Sequence, residues 1–266
     1  MTTSNLFTSV NLNGEGIMRG VTLSLPANRV RNLLPASLEL GKQTLTSPGT
    51  HPVVLFFHDL YRGNLAFPNL IPSLTYYEHS IGVPFTYISA PWLAPGSPGP
   101  YYYMPRLYLN SLSPMAGGRL WWGFAKDLGQ IEVTSGRYTV SDLAGRRLTS
   151  LGWDTEQLGE VRPVTAYPNF EPVRQMLNQP LISLAPLGVG PFLMLSHFDK
   201  NWDVATLRPL RTSVEVDLAF LPGYECARYP ASGWAPGIDE VVTGSYELRS
   251  PWRLSLPYPP MFAGVL

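Results

Sequence analysis

Cysteine, lysine, charge and long apolar runs are all scarce in this chain. Cysteine occurs once in 266 residues, at Cys226; an internal disulfide framework and thiolate-rich metal sites are therefore excluded. Charged residues make up 14 % of the chain, against about 25 % in an average domain. They cancel to a formal net charge of zero. With no basic stripe to neutralise phosphates, nucleic acid is not an expected partner. The longest apolar run, Leu181 to Ser196, is broken by Pro186, Gly188, Gly190 and Pro191. It is too short and interrupted to cross a bilayer, and reads as two strands with a turn between them, so no membrane partner is expected. The opening MTTSNLFTSVNLNGEG has no charged stretch leading into an apolar core. No signal peptide is expected, and a reducing cytoplasm fits the lack of disulfides.

Aromatic rings are plentiful: seven Trp, 14 Tyr and 11 Phe. A chain of this length buries roughly 70–75 % of its unfolded surface. Few charges and many rings suit one domain over residues 1–266 built around a large apolar interior or cavity. The 27 prolines and 24 glycines are spread along the chain, marking turns between short strands more than one linker.

Strand patterns dominate. Thr212 to Leu221 alternates polar and apolar residues, as a half-buried strand does. Val53–Phe57, Phe85–Ala90, Tyr101–Leu109, Gln130–Val133, Arg137–Val140 and Tyr246–Leu256 read similarly. Helix signals are few. Pro26 suits the first turn of a short helix with Val30, Leu33 and Leu34 on one face, stopped by Pro35. Asn169–Leu177 is a second candidate, and Pro95–Pro100 (PGSPGP) reads as a loop over the surface or a cavity mouth. Many strands and a few short helices predict an α+β, mainly β fold with a closed or nearly closed sheet.

Several chemistries lack their signatures. There is no P-loop, NGEGIMRG lacks the G-x-G-x-x-G spacing, and no G-x-S-x-G elbow occurs. The four histidines show no metal-ligand spacing, so neither a metal nor a nucleotide cofactor is expected. The lysines are more informative. There are three, at positions 42, 126 and 200. Lys42 (LGKQT) and Lys200 (FDKNW) sit in polar, turn-like settings and read as solvated surface residues. Lys126 closes GGRLWWGFAKDLG, just after Trp121, Trp122 and Phe124. Its stem can pack on those rings with the ammonium in water. The other reading is an amine held among rings, where burial disfavours the charged form and the neutral amine can form a Schiff base with a carbonyl.

The segment Tyr108–Gly129 resembles the lysine-bearing segment of acetoacetate decarboxylases. It matches without a gap at Tyr108, Leu109, Ala116, Gly118, Arg119, Lys126, Leu128 and Gly129. Tyr77-Glu78 with Pro84 and Phe85 resembles the segment that carries an active-site glutamate, and Arg31–Glu39 resembles an early LPxxLE signature. The resemblance implies a cone-shaped β-barrel around an apolar cavity, with Lys126 as the Schiff-base lysine and Glu78 beside it. It also implies an oligomeric assembly. The chain departs from the family where a second lysine would follow the first, since Asp127 stands there. The early active-site arginine has no clean counterpart, Arg19 being out of register, and a second acid is replaced near Phe57-His58. These departures imply a substrate other than acetoacetate.

Strand periodicity over Met104-Pro105-Arg106-Leu107-Tyr108 places Met104, Arg106 and Tyr108 on one face. If that face lines the cavity, Arg106 binds a carboxylate or enolate; if not, it is an outward arginine. His58 is either a core histidine bonded to Asp59 or an acid–base group. His51 and His197 look structural or exposed. Arg119 is counted among the substrate-facing candidates, its other reading being a structural pairing with backbone or an acid. Trp122 and Phe124, with Trp121, supply a dry wall. Three functions follow in order. The first is a Schiff-base lyase, decarboxylating a β-keto acid or a polyketide-like metabolite without a cofactor. The second is an aldolase, dehydratase, cyclase or isomerase of specialised metabolism on the same fold. The third is a non-catalytic carrier of apolar ligands.

Overall fold

A computed structural model describes residues 11–65, 73–89, 99–184, 193–221, 224, 228–230 and 233–259. The loop expected at Pro95–Pro100 lies outside these residues up to position 98, as do Cys226 and the turn between Leu184 and Leu193.

The chain opens with strand β1 (Asn11–Pro26), helix α1 (Ala27–Arg31) and the short β2 (Leu38–Leu40). Two long strands, β3 (Thr50–Leu65) and β4 (Leu74–Ile88), precede β5 (Tyr101–Leu109), helix α2 (Leu112–Trp122) and β6 (Lys126–Leu128). A meander follows, β7 (Gln130–Thr134), β8 (Arg137–Ser141) and β9 (Arg147–Trp153), then β10 (Arg162–Pro163) and helix α3 (Glu171–Leu177). The remaining strands are β11 (Leu181–Leu184), β12 (Leu193–Ser196), β13 (Phe198–Lys200), β14 (Thr206–Pro209), β15 (Thr212–Asp217), β16 (Arg228–Pro230) and β17 (Tyr246–Ser255).

These strands form two sheets. Twelve belong to a large sheet with the path β10-β14-β17-β1-β3-β4-β5-β11-β12, and five form a second sheet, β16-β15-β9-β8-β7. The mainly β, α+β expectation holds, but the large sheet is not closed into a barrel. Among the described residues, its β12 end pairs with the chain beyond β17 through an isolated bridge, Leu195 to Tyr258, and not through a continuous ladder. Pro257 lies in that gap, and a proline has no N–H to extend a ladder. Among the described residues, no helix is long and apolar enough to cross a membrane.

Alternation along β3 and β4 gives the large sheet two different faces. Leu55, Phe57 and Ile81 are fully buried and pack with Tyr138 and Leu151 of the second sheet. Each such side chain contributes about 1.5–3 kcal/mol by leaving water. The alternate residues, Phe56, His58 and Leu60 on β3 and Tyr76, Glu78 and Ser80 on β4, face a cavity.

The predicted helices form where expected. Val30 is buried on α1, with Leu33 and Leu34 buried in the turn that follows it, short of the expected stop at Pro35; Val173, Met176 and Leu177 are buried on α3. The strand expected over Thr212–Leu221 ends at Asp217, whose carboxylate accepts from Ala219 N–H and starts a single 3-10 turn. The sequence carries no helix signal over Leu112–Trp122, yet an 11-residue helix lies there. Pro114 is tolerated in its first turn, whereas Gly117 and Gly118 each weaken it by about 1 kcal/mol relative to alanine. The reason for Gly118 is Lys126: a Cβ at position 118 would stand 2.5 Å from Lys126 Cδ.

Candidate active site

The cavity occupies about 310 Å3 between the face of β1, β3, β4 and β5 and the underside of α2, with β13 and β17 on one flank. Its wall is mostly apolar, with Met18, Phe56, Leu60, Met104, Leu107, Trp122 and Phe124 among the lining residues. The charged side chains set into it are Glu78, Lys126 and Lys200, with His58 beside Glu78.

Two strand pairings place the central pair. His58 stands opposite Glu78 in the β3–β4 ladder, so alternation brings both to the same face. Lys126 begins β6, which runs parallel to β5 with Lys126 beside Leu107. The backbones of Glu78 and Lys126 therefore lie about two strand spacings apart, roughly 10 Å, and their side chains meet across β5. Lys126 Nζ donates to Glu78 Oε2 at 2.6 Å. Both residues are 7 % exposed. Burial pushes the Glu78 carboxyl up, but the charge of Lys126, helped by His58, outweighs it and holds the carboxyl well below the usual range. His58 Nδ1 is 3.8 Å from Glu78 Oε1, beyond hydrogen-bond length. Neither ring nitrogen has a hydrogen-bond partner among the described residues. The expected His58–Asp59 bond does not form; Asp59 instead accepts from Arg19.

The second sheet braces the pair from behind. The Tyr138 hydroxyl lies within 3.1 Å of the His58 carbonyl and 3.3 Å of the Glu78 carbonyl. His79, on the opposite face, lies at Nδ1 2.8 Å from the Phe56 carbonyl, and burial lowers its pKa to about 3.

Asp127 points away from the amine. Alternation along β6 sends it to the other side, where it accepts from Arg106 Nη1 at 3.0 Å and from Arg119 Nη2. The Nε–H of Arg119 also donates to the Lys126 carbonyl. Arg106 and Arg119 thus anchor the strand that carries Lys126 and do not line the cavity, which corrects the substrate-facing reading of both. Tyr108 is corrected in the same way, since it packs edge-on against Phe220 in the core between the sheets. The cause is a β-bulge. Ile81 pairs with Arg106 but Val83 pairs with Tyr103, so β5 has one extra residue between them. An extra residue inverts the facing of all that follow. Met104 faces the cavity as expected, but after the bulge Leu107 does so in place of Arg106 and Tyr108.

Trp122 and Phe124 form the expected dry wall, and Trp122 Nε1–H is tied to the Ser255 carbonyl at 2.7 Å. Trp121 is half-exposed on the cavity's outer lining. Arg19, the out-of-register arginine, pairs with Asp59 and Glu247 outside the cavity. His51 is buried at 2.8 Å from the Pro84 carbonyl, while His197 meets the Tyr258 hydroxyl at 2.7 Å.

Lys200 is the residue that sequence reading missed. It is half-buried and lines the cavity instead of standing out on a surface turn. Local polarity (FDKNW) suggests a surface turn, but pairing of β13 with β17 makes Phe198 and Lys200 share the inner face and turns Asp199 out. A lysine two residues beyond a phenylalanine in a strand was the available signal. Its Nζ donates to the carbonyls of Leu177 and Phe198, each at 3.2 Å.

The family model for acetoacetate decarboxylase matches residues 3–210. No curated protein sequence matches. Among solved structures, an enduracididine biosynthesis enzyme, MppR, complexed with pyruvate is 17 % identical at a TM-score of 0.57, over 95 % of this chain and 91 % of its own. The same enzyme complexed with the condensation product of pyruvate and imidazole 4-carboxaldehyde aligns equally well, at a TM-score of 0.57 and 17 % identity, covering 95 % and 90 %. An acetoacetate decarboxylase from Legionella pneumophila subsp. pneumophila str. Philadelphia 1 is 16 % identical at a TM-score of 0.56, covering 94 % and 86 %. At these identities the structural likeness speaks for the fold alone.

Proposed function

The chain belongs to the acetoacetate decarboxylase family, and on that premise we propose that it is a Schiff-base-forming lyase acting on a keto acid through Lys126. The observation that carries this reading is an amine buried in the wall of an apolar cavity and paired with one carboxylate. Lys126 attacks the ketone carbon once its amine has given up a proton. Glu78, 2.6 Å away, is the acceptor within reach, and His58, 3.8 Å from Glu78 and with neither ring nitrogen hydrogen-bonded among the described residues, can carry the proton onward. The carbinolamine loses water to form a protonated imine, which serves as the electron sink that pyridoxal phosphate supplies elsewhere.

Where a carboxylate lies β to the former carbonyl, the carbon–carbon bond breaks and its electron pair moves into the iminium. Carbon dioxide leaves and an enamine remains. A proton returns to carbon, and water hydrolyses the imine to release the ketone and restore the amine. The apolar wall of Phe56, Trp122 and Phe124 supports the step by keeping competing water out.

Condensation is the second reading. The enamine would attack an aldehyde and then lose water, the chemistry suggested by the condensation product bound in one structural neighbour.

The test is carbon dioxide release from acetoacetate and larger β-keto acids by the wild type and by Lys126→Ala. The lyase reading expects turnover that falls at least about a thousandfold in the variant. Turnover that survives the substitution overturns it. Imine formation without carbon dioxide transfers the assignment to condensation, and ligand binding without any turnover identifies a carrier.

A further inference from the structure

Beyond the Lys126–Glu78 pair, the cavity holds a second amine, Lys200, that has no ion-pair partner in contact among the described residues. Glu78 neutralises Lys126. The arginines nearest the site are already taken: Arg106 and Arg119 by Asp127, and Arg19 by Asp59 and Glu247. Lys200 differs from all of them. Among the described residues it has no carboxylate in contact; its Nζ meets two backbone carbonyls and lies 4.7 Å over the Phe198 ring and 5.8 Å from that of Trp202. An ammonium has three N–H donors, so one remains.

The surroundings of Lys200 also favour an acceptor. A side recess of about 20 Å3 opens between Lys200, His58, Met18, Leu60 and Trp252, room for one small polar group. Trp252 is paired directly across from Lys200 in the β13–β17 ladder. It is buried, and its Nε1–H has no acceptor among the described residues. His58 likewise has no hydrogen-bond partner. Buried donors without acceptors are rare and costly in a folded protein. A cation, an indole N–H and an imidazole around one recess together suit an anionic oxygen group.

We propose that Lys200 is the carboxylate-binding residue of this cavity, taking the acid group of a keto acid whose carbonyl is presented to Lys126. This assignment rests on the Schiff-base reading for the carbonyl end, but the anion site stands on its own geometry. Burial lowers the pKa of Lys200 to about 7, with Asp199 opposing. An arriving carboxylate supplies the charge partner that Lys200 lacks among the described residues. Within the keto acids, the substrate class is thereby narrowed to those long enough to span both amines.

The experiment compares the binding of pyruvate, acetoacetate and levulinate with that of their methyl esters, using calorimetry on the wild type, Lys200→Met, Lys200→Gln and Lys200→Arg. The expected result is that the wild type binds at least one acid about tenfold or more tighter than its ester. Lys200→Met and Lys200→Gln erase that preference, leaving ester affinity within about twofold, and Lys200→Arg restores part of it. A preference that survives both neutral variants overturns the proposal. So does a wild type with no preference, a result that needs no variant to fold. Borohydride trapping of the esters on Lys126 is followed in parallel. Loss of trapping with a Lys200-dependent acid preference would defeat the Schiff-base reading alone, and trapping without the preference would defeat the carboxylate site alone.

Discussion

Lys126 and Glu78 meet although their strands are not neighbours: β5 runs between β4 and β6, and the two side chains join across it at 2.6 Å. The amine is thus buried beside one carboxylate rather than isolated among rings. Removing one member of a buried ion pair leaves the other uncompensated, at a cost of about 3–5 kcal/mol. Glu78→Gln is expected to lower the unfolding free energy toward that range, less whatever cavity water recovers. The double variant Glu78→Leu/Lys126→Met is expected to regain most of the loss. Chemical denaturation of the three proteins measures this; a double variant no more stable than Glu78→Gln would contradict it.

Gly118 exists for the lysine rather than for its helix. Gly118→Ala places a Cβ 2.5 Å from Lys126 Cδ, so the flexible stem must move. Alanine also favours the helix by about 1 kcal/mol. The expected outcome separates activity from stability: turnover falls about a hundredfold, while the melting temperature stays within a few degrees. Equal loss of both would show that Gly118 serves packing instead.

Asp127 faces away from the amine and binds Arg106 and Arg119 at partly exposed positions. Exposed pairs are worth about 0–1 kcal/mol each. Asp127→Asn should therefore cost no more than about 2 kcal/mol in denaturation, with Lys126 trapping within about fivefold of the wild type. Loss of trapping comparable to that of Glu78→Gln would place Asp127 in the reaction.

The site illustrates what the sequence could and could not convey. The run Gly117–Lys126 stood out because the lysine follows its rings closely in sequence, but two readings of the amine stayed open until the resemblance assigned one. Glu78 was readable by resemblance. The face of Arg106 and Tyr108 was not, because a single inserted residue in β5 inverts the alternation and leaves no mark in composition. Lys200 was hidden because its burial comes from β13 meeting β17, some 50 residues away in sequence. Helix α2 was hidden because its glycines meet a demand made by another element. The sheet was expected to be closed or nearly so, and Pro257 falls where closure fails.

Acid sensitivity is expected from His79. Its folded pKa of about 3 lies below the ordinary 6.5, so between these values the unfolded chain binds the extra proton. Stability is then fully present above pH 6.5 and declines as pH falls toward 3, by at most about 1.4 kcal/mol per pH unit. Glu78, also lowered, adds to the loss below the ordinary carboxylate range. His79→Asn, which keeps a side-chain donor for the Phe56 carbonyl, should flatten the pH dependence of the unfolding midpoint. An unchanged slope would contradict this.

The most direct test is peptide mapping after borohydride reduction with a keto acid. Reduction fixes an imine as a stable secondary amine on whichever lysine formed it. With three lysines in the chain, the peptide assignment is unambiguous. The added mass is predicted on the peptide that contains Lys126, and its yield should fall sharply in Glu78→Gln. A modification confined to Lys42 or Lys200, or none under conditions where the protein turns over substrate, would contradict the account.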